Sequence, residues 1–285
     1  MKFSVQTDNL KMLNEATSSD CDKVRFGSEF CAWKLPSLKS LEKAYEQTLE
    51  TEKKFIYITP RVPEKSLKVV EDHLKFLDGN GANDVVINDW GVLNILEKHP
   101  NLRIQIGRQL VYMPARCPWS QEELSVAFSD LAQGQEIFNQ TNLNYLPTIQ
   151  FLQNYNIKGA DVDWIPESFQ NFNYIVRSGL QVSIYLNLIP VAITRSCHTA
   201  RYLGEDDPEN CSRPCDTKAF KLKQKQMGIE LYLLGNVAYR MTQPSQTEIE
   251  TLNKIGVKDI VISINTIMKT GERNKLNALI QKLNA

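Results

Sequence analysis

The sequence predicts an α/β protein of the (β/α)8 TIM-like barrel type, possible irregularities included. Three observations predict it. About eight short strand-like runs alternate with amphipathic helical patterns along the chain. Most of those runs are continuously apolar, as parallel strands covered on both faces require. The rival architecture, a doubly wound open sheet, usually carries a glycine-rich phosphate loop, and the 13 glycines form neither GxGxxG nor GxxxxGK(S/T). No linker, low-complexity tract or internal repeat divides the 285 residues, so residues 1–285 read as one barrel domain.

The strands are expected at residues 24–27, 55–59, 84–88, 102–106, 158–162, 181–186, 230–234 and 259–264. Between them the helices have legible ends. Pro36 and Ser37 open one whose apolar stripe is Leu38, Leu41, Tyr45 and Leu49. Pro63 opens the next, with Leu67, Val70, Leu74 and Leu77 on one face and Gly79 as its stop. Ser120 and Glu123 have capping-box spacing ahead of Leu124, Phe128 and Leu131. Pro166 starts a helix over Phe169 to Val176, Ser245 one with Ile249 and Leu252, and a last one runs from about Gly271 through Leu276, Ile280 and Leu283.

The composition, 42% hydrophobic and 23% charged, is that of a globular protein with a full core. No run of about 18 apolar residues exists, which excludes a membrane-spanning helix. The amino terminus, MKFSVQTDNLKMLNEATSSD, lacks the apolar stretch of a signal peptide, so a cytoplasmic location is expected. In that compartment thiols stay reduced, and clustered cysteines point to metal or catalysis before disulfides. Net charge is +0, from 33 basic and 33 acidic residues, which gives no support for nucleic acid as the main partner.

In a barrel the carboxyl ends of the strands carry the active face. That rule places Cys31, Asn88, Asp89, Asp161, Asp163 and the run from Asn187 to Cys197 on one side. Three of the six cysteines, Cys197, Cys211 and Cys215, fall within RSCHTARYLGEDDPENCSRPCDTKAF, a polar segment from Arg195 to Phe220. The CxxxC spacing of Cys211 and Cys215 lets two thiolates converge on one site, and Cys197 lies fourteen residues earlier. Barrel topology offers Cys31 or Cys117 as a fourth, whereas Cys21 precedes its strand and belongs at the opposite end. Four thiolates suit zinc or an iron–sulfur cluster. Structural zinc usually draws on two short cysteine pairs; one pair with two remote singles suits a bulkier cluster, while unligated or redox thiols stay open. Arg195, Arg201 and Arg213 either offset the charge of such a centre or are simply solvated.

Proteolysis lacks its machinery: there are three histidines, His73, His99 and His198, with no HExxH and no GxSxG. His73 and His99 read as surface residues. Asn88 and Asp89 either face a substrate or cap the following turn. Asp161 and Asp163, two apart on a strand, face the same side as acid–base carboxylates or as ion-pair partners. Trp90, Trp119 and Trp164 read first as packing.

The pattern R-x-C-H-T-A-R at Arg195 to Arg201, followed by Cys211 and Cys215, resembles the collagenase-like peptidase family of unknown catalytic type. Within it the pattern is most similar to the UbiV branch of oxygen-independent ubiquinone-biosynthesis proteins. VVINDWGVLNIL from Val85 and FGSEFCAWK from Phe26 are similar to two further family segments, and the resemblance spans roughly residues 24–242. Departures are WIPESF, where the family has P-x-E-L-S, and DTKAFKLKQKQMG after Cys215. The resemblance implies a barrel holding a 4Fe-4S cluster on Cys31, Cys197, Cys211 and Cys215, with Cys21 and Cys117 outside the set. It implies a subunit supporting O2-independent hydroxylation, in a heterodimer with a UbiU-like protein. The small molecules would be a quinone precursor and prephenate, or a prephenate-like oxygen donor. Asn88, Asp89, Arg195, His198 and Arg201 are the candidates for contacts to substrate or around the cluster. The other readings are a related iron–sulfur enzyme hydroxylating RNA bases, which a positive groove would favour, and a zinc-stapled binding or assembly subunit without enzymatic activity.

Overall fold

The structure, a computed structural model, describes residues 1–81, 83–117, 131–205, 207, 210–224, 228–268 and 273–284. In chain order the strands are β1 (Lys2–Thr7), β2 (Lys23–Phe26), β3 (Lys54–Ile58), β4 (Asp84–Ile87), β5 (Arg103–Ile106), β6 (Gly159–Asp163), β7 (Gln181–Tyr185), β8 (Leu188–Ile193), β9 (Phe220–Gln224), β10 (Ile229–Leu234), β11 (Val237–Met241) and β12 (Asp259–Ser263). The helices are α1 (Leu10–Ser18), α2 (Leu38–Leu49), α3 (Glu64–Gly79), α4 (Trp90–Leu96), α5 (Leu131–Asn139), α6 (Leu146–Asn154), α7 (Phe169–Arg177), α8 (His198–Tyr202), α9 (Gln246–Lys254) and α10 (Arg273–Asn284).

Eight parallel strands close the barrel in the order β1-β12-β7-β6-β5-β4-β3-β2. The fold class is therefore the (β/α)8 barrel that the alternation of strands and helices predicts. Two strand assignments need correction. Residues 2–7 form a barrel strand that the apolar-run criterion passes over, pairing with both β2 and β12. Residues 230–234 lie outside the barrel, in an antiparallel sheet of order β8-β11-β10-β9.

The first correction follows from the chemistry of the barrel interior. In β1, Phe3 and Val5 point outward into the core shared with Leu13 and Ala16 of α1. Ser4 and Gln6 point inward, where the Ser4 hydroxyl donates to Asp259 at 2.8 Å and Gln6 accepts from the Ser263 hydroxyl at 3.0 Å. An inward face of polar residues breaks the apolar run without breaking the strand. Ile56, Ile58 and Val86 form a small apolar cluster of their own on the β3–β4 side. Opposite them Arg25 is fully buried, gripping Asp161 with two hydrogen bonds of 2.7 and 3.0 Å and adding Ser183 and Tyr185. Asp161 and Asp163 thus share one face, as their spacing requires, and their role is ion pairing.

Helix ends follow their predicted punctuation. Ser37 caps α2 by accepting from Ser40 N–H, Pro63 precedes α3, and Ser245 with Glu248 forms a capping box on α9. The helix expected from Ser120 and Glu123, with Leu124 and Phe128, and Trp119 beside it, lies outside the described residues. Among the described residues no helix is long and apolar enough to cross a membrane.

The antiparallel sheet sits over the carboxyl ends of the barrel strands. Its small core of Leu188, Cys215, Leu234, Val237 and Tyr239 packs against Phe30, Ala219, Ile267 and Met268. It therefore brings Leu188, Cys215 and the turn between β10 and β11 onto the barrel mouth, against the loop after β2.

Candidate functional site

Each of the four cysteines with a proposed role stands at a tight turn that the local sequence dictates. After β2 the chain passes Gly27 at φ +131°, where a Cβ would lie 2.1 Å from the Ile58 carbonyl oxygen. Only glycine tolerates that approach. Ser28 then accepts from Cys31 N–H at 3.2 Å, and Cys31 opens a short 3-10 turn over Ala32–Lys34. Cys197 caps α8, its sulfur accepting from Ala200 N–H at 3.4 Å. The Cys211 sulfur accepts from Arg213 N–H at 3.4 Å, with Arg213 left-handed at φ +60°. Cys215 lies in the next turn, Pro214–Asp216, pinned by Thr266, whose hydroxyl donates to its carbonyl at 2.6 Å.

These turns bring the four thiols to one place. Cys31, Cys197, Cys211 and Cys215 all line a single cleft of about 880 Å³, together with Trp33, Arg61, Arg195, Arg201 and Arg213. All four are free thiols. Beside the cleft a smaller pocket of about 50 Å³ shares Cys31, Lys34 and Cys215 as its wall and reaches Glu29, Arg108 and Tyr239 in the barrel mouth. Of the two sequence candidates for a fourth thiol, Cys31 lines the cleft and Cys117 does not. Cys21 is buried far from it, its thiol donating to the Ala16 carbonyl.

The electrostatics tie the thiols together pairwise. Burial pushes Cys31 up, and a charge on Cys197 pushes it further, while the Trp33 amide and the Lys34 ammonium pull it down. Burial raises Cys197 as well, opposed by the Ala200 amide and reinforced by a charge on Cys211. Burial pushes Cys215 up to about 12 against the pull of Lys34, with Asp8, Asp216 and Cys31 adding to the rise. Burial thus favours the neutral thiol at Cys31, Cys197 and Cys215, and a thiophilic metal bound there would displace their protons.

The residues fit a metal–sulfur centre in kind: four sulfur donors, backbone N–H groups aimed at two of the sulfurs, and arginines in the lining, with Glu205 as the one carboxylate among the described lining residues. Among the described residues no three His, Cys, Asp or Glu side chains converge on a point that one ion could occupy.

Two flanking residues that the sequence reading left without a role support this arrangement. Lys34, 7% exposed, sits 2.7 Å from Asp8 and 3.0 Å from Asp216. Glu29 binds Arg108 through two hydrogen bonds of 2.9 and 2.5 Å. Arg108 also reaches Asp163 at 2.8 Å and the Leu188 carbonyl at 2.7 Å, with its guanidinium 3.7 Å from the Tyr185 ring centre. Charged residues flanking Cys31 in GSEFCAWK were the available signal, since a loop that buries both signs of charge is seldom free of partners.

The remaining candidates fall elsewhere. Asn88 is fully buried, donating to the Thr59 carbonyl at 2.9 Å and accepting from Gln109 N–H at 3.1 Å. Asp89 caps α4, accepting from Gly91 N–H at 2.7 Å and from Val62 N–H at 3.1 Å. These are the contacts of a turn and a cap, and neither residue lines the cleft. Arg195 and Arg201 do line it; His198 is exposed and lines a neighbouring groove with Arg201 and Tyr202. His73 is not at the surface: it is buried, with Nδ1 2.6 Å from the Tyr57 hydroxyl. His99, its side chain only 10% exposed, faces Asp78 at 3.5 Å. Trp164 packs against Phe172, and Trp90, 44% exposed, stands edge-on to Phe151.

No family model matches the chain, and no curated protein matches it. Solved structures do. Thiamine phosphate pyrophosphorylase from Pyrococcus furiosus is 10% identical, with 99% of this chain and 94% of that one covered and a TM-score of 0.48. Dihydropteroate synthase from Thermus thermophilus is 13% identical over 99% and 93%, with a TM-score of 0.42. The U32 peptidase Mk0906 is 10% identical over 93% of each chain, with a TM-score of 0.44. The barrel assignment rests on the strand pairing of this chain itself.

Proposed function

We propose that the chain is an iron–sulfur protein of the UbiV type, holding a 4Fe-4S cluster on Cys31, Cys197, Cys211 and Cys215. In this reading it works in O2-independent hydroxylation as one half of a heterodimer with a UbiU-like subunit. The observation that carries the reading is the meeting of four free thiols, from two segments far apart in sequence, in one cleft at the carboxyl ends of the barrel strands. Such a cluster supplies one-electron transfer when bound.

The chain's own residues have definite tasks in this reading. Arg195 and Arg201 offset the negative charge of four thiolates, and with Arg61 they give the cleft rim a positive character that suits an anionic, prephenate-like oxygen donor. The amides of Ala200 and Arg213 donate to sulfur and lower its charge density. Lys34 places a buried ammonium beside Cys31 and Cys215, favouring their thiolate forms.

Anaerobic reconstitution with iron and sulfide, followed by metal and sulfide analysis and an absorption spectrum, tests the reading. The expected result is about four irons and four sulfides per chain with a broad visible band. One zinc per chain and no visible band would sink it.

A further inference from the structure

The turn between β10 and β11, Gly235 and Asn236, touches all the cysteine-bearing segments. The Asn236 side-chain amide donates both of its hydrogens, one to the Phe30 carbonyl at 2.9 Å and one to the Thr194 carbonyl at 2.8 Å. Phe30 immediately precedes Cys31, and Thr194 lies three residues before Cys197. The main chain of the same residue closes the grip, its carbonyl accepting from Thr194 N–H at 3.0 Å and from the Thr194 hydroxyl at 3.2 Å. Next to it, the Gly235 carbonyl accepts from Thr199 N–H at 3.1 Å, in the first turn of α8 after Cys197. A Cβ on Gly235 would stand 3.8 Å from the Cys215 sulfur, so the turn also lies against the third segment.

We propose that Asn236 is a positioning residue for the metal centre, a side chain that fixes the Cys31 segment to the Cys197 segment. The proposal rests on the cluster reading above. Two carbonyl oxygens can only accept, so the group between them must supply two hydrogens, and a primary amide does so from one nitrogen. An aspartate of the same shape would face both carbonyls with oxygen, and an alanine would leave both half-buried carbonyls unpaired. Cys31 follows β2 and Cys197 follows β8, which continues from β7; β1 and β12 stand between β2 and β7 in the closed barrel, and no short stretch of chain joins the two segments. Asn236 hydrogen-bonds to the backbone on both sides and to neither sulfur, so it acts by setting where Cys31 stands and how far its thiol is open to reagents.

Asn236→Asp and Asn236→Ser, the second keeping one hydroxyl donor, test this in two measurements against the unmodified chain. In the metal-free chains, alkylation by iodoacetamide is followed cysteine by cysteine, with buried Cys21 at the far end of the barrel reporting whether the fold is intact. Cys31 is expected to react faster in the Asp variant and to an intermediate extent in the Ser variant, with Cys21 unchanged. If Cys21 is exposed in the Asp variant, the Ser variant carries the comparison. In the second measurement the apparent iron affinity during anaerobic reconstitution is expected to fall by about tenfold in the Asp variant. Variants that match a loaded unmodified chain in both Cys31 reactivity and iron affinity overturn the role of Asn236. An unmodified chain that takes up no iron overturns the cluster reading instead, and the two failures are told apart by which chain shows them.

Discussion

The ammonium of Lys34 lies 3.0 Å from Oδ1 of Asp216, joining the turn that follows Cys31 to the residue that follows Cys215. Asp8, at the end of β1, completes the group at 2.7 Å. Lys34→Met keeps most of the side-chain volume and leaves two carboxylates facing one another with little water. Because Asp8 and Asp216 retain some solvent, the expected loss of stability is about 2–3 kcal/mol, below the full cost of breaking a buried pair. Urea unfolding of the metal-free chain measures it, and Asp216→Asn added to Lys34→Met should recover part of the loss. An unchanged midpoint in the single variant refutes the linkage.

The cysteines divide into two classes. Replacing any of Cys31, Cys197, Cys211 or Cys215 with alanine is expected to abolish most iron uptake, because a four-thiolate site with one ligand removed loses both charge and geometry. Cys21→Ala and Cys117→Ala are expected to retain it. Iron analysis after anaerobic reconstitution separates the classes; full iron content in Cys31→Ala removes that residue from the set.

Inside the barrel, Arg25 and Asp161 are both fully buried and doubly hydrogen-bonded. Arg25→Met alone strands Asp161 and is expected to cost about 3–5 kcal/mol. Arg25→Met combined with Asp161→Leu removes both charges and should be considerably more stable than the single variant. Chemical denaturation of the full mutant cycle gives the coupling; simple additivity would contradict it.

Burial lowers the pKa of His73 to about 4, with Asp72 opposing the shift. The folded chain therefore keeps a neutral imidazole where the unfolded chain, near pH 6.5, takes up a proton. This contribution to stability is complete above pH 6.5 and is lost as pH falls toward 4, reaching about 3 kcal/mol at the lower limit. Comparing unfolding of the unmodified chain and His73→Asn at pH 7, 5.5 and 4.5 isolates the effect. Parallel pH profiles for the two proteins would refute it.

Much of the barrel was legible because its outward strand faces are apolar and its helices carry ordinary caps. Phe55 and Tyr57, or Val85 and Ile87, announce their strands through residues that pack against helices. The sequence pattern misses β1 because Ser4 and Gln6 serve a polar interior, and chain order alone does not reveal which side of a strand is which. It misplaces residues 230–234 because a short, mostly apolar run pairs as readily in an antiparallel sheet as in a barrel. For the site, the cysteines are visible as residue types, and topology puts Cys31 on the same face as Cys197 while leaving Cys117 as an equal candidate. Asn236 is invisible in the same way that β1 is, since its role exists only in the distances to Phe30 and Thr194, neither of which neighbours it in sequence; Lys34 shows only as a charge beside Cys31, and its partners Asp8 and Asp216 do not show at all.

One consequence of the shared cleft concerns the unfolded chain. The stretch from Cys31 to Cys197 is more than half of the protein. A group bonded to both residues would act as a cross-link closing that long loop, lowering the freedom of the unfolded chain by an amount worth about 5 kcal/mol on a chain-entropy estimate. The thiol cleft is then also a clasp: whatever fills it sets how hard the barrel is to pull apart.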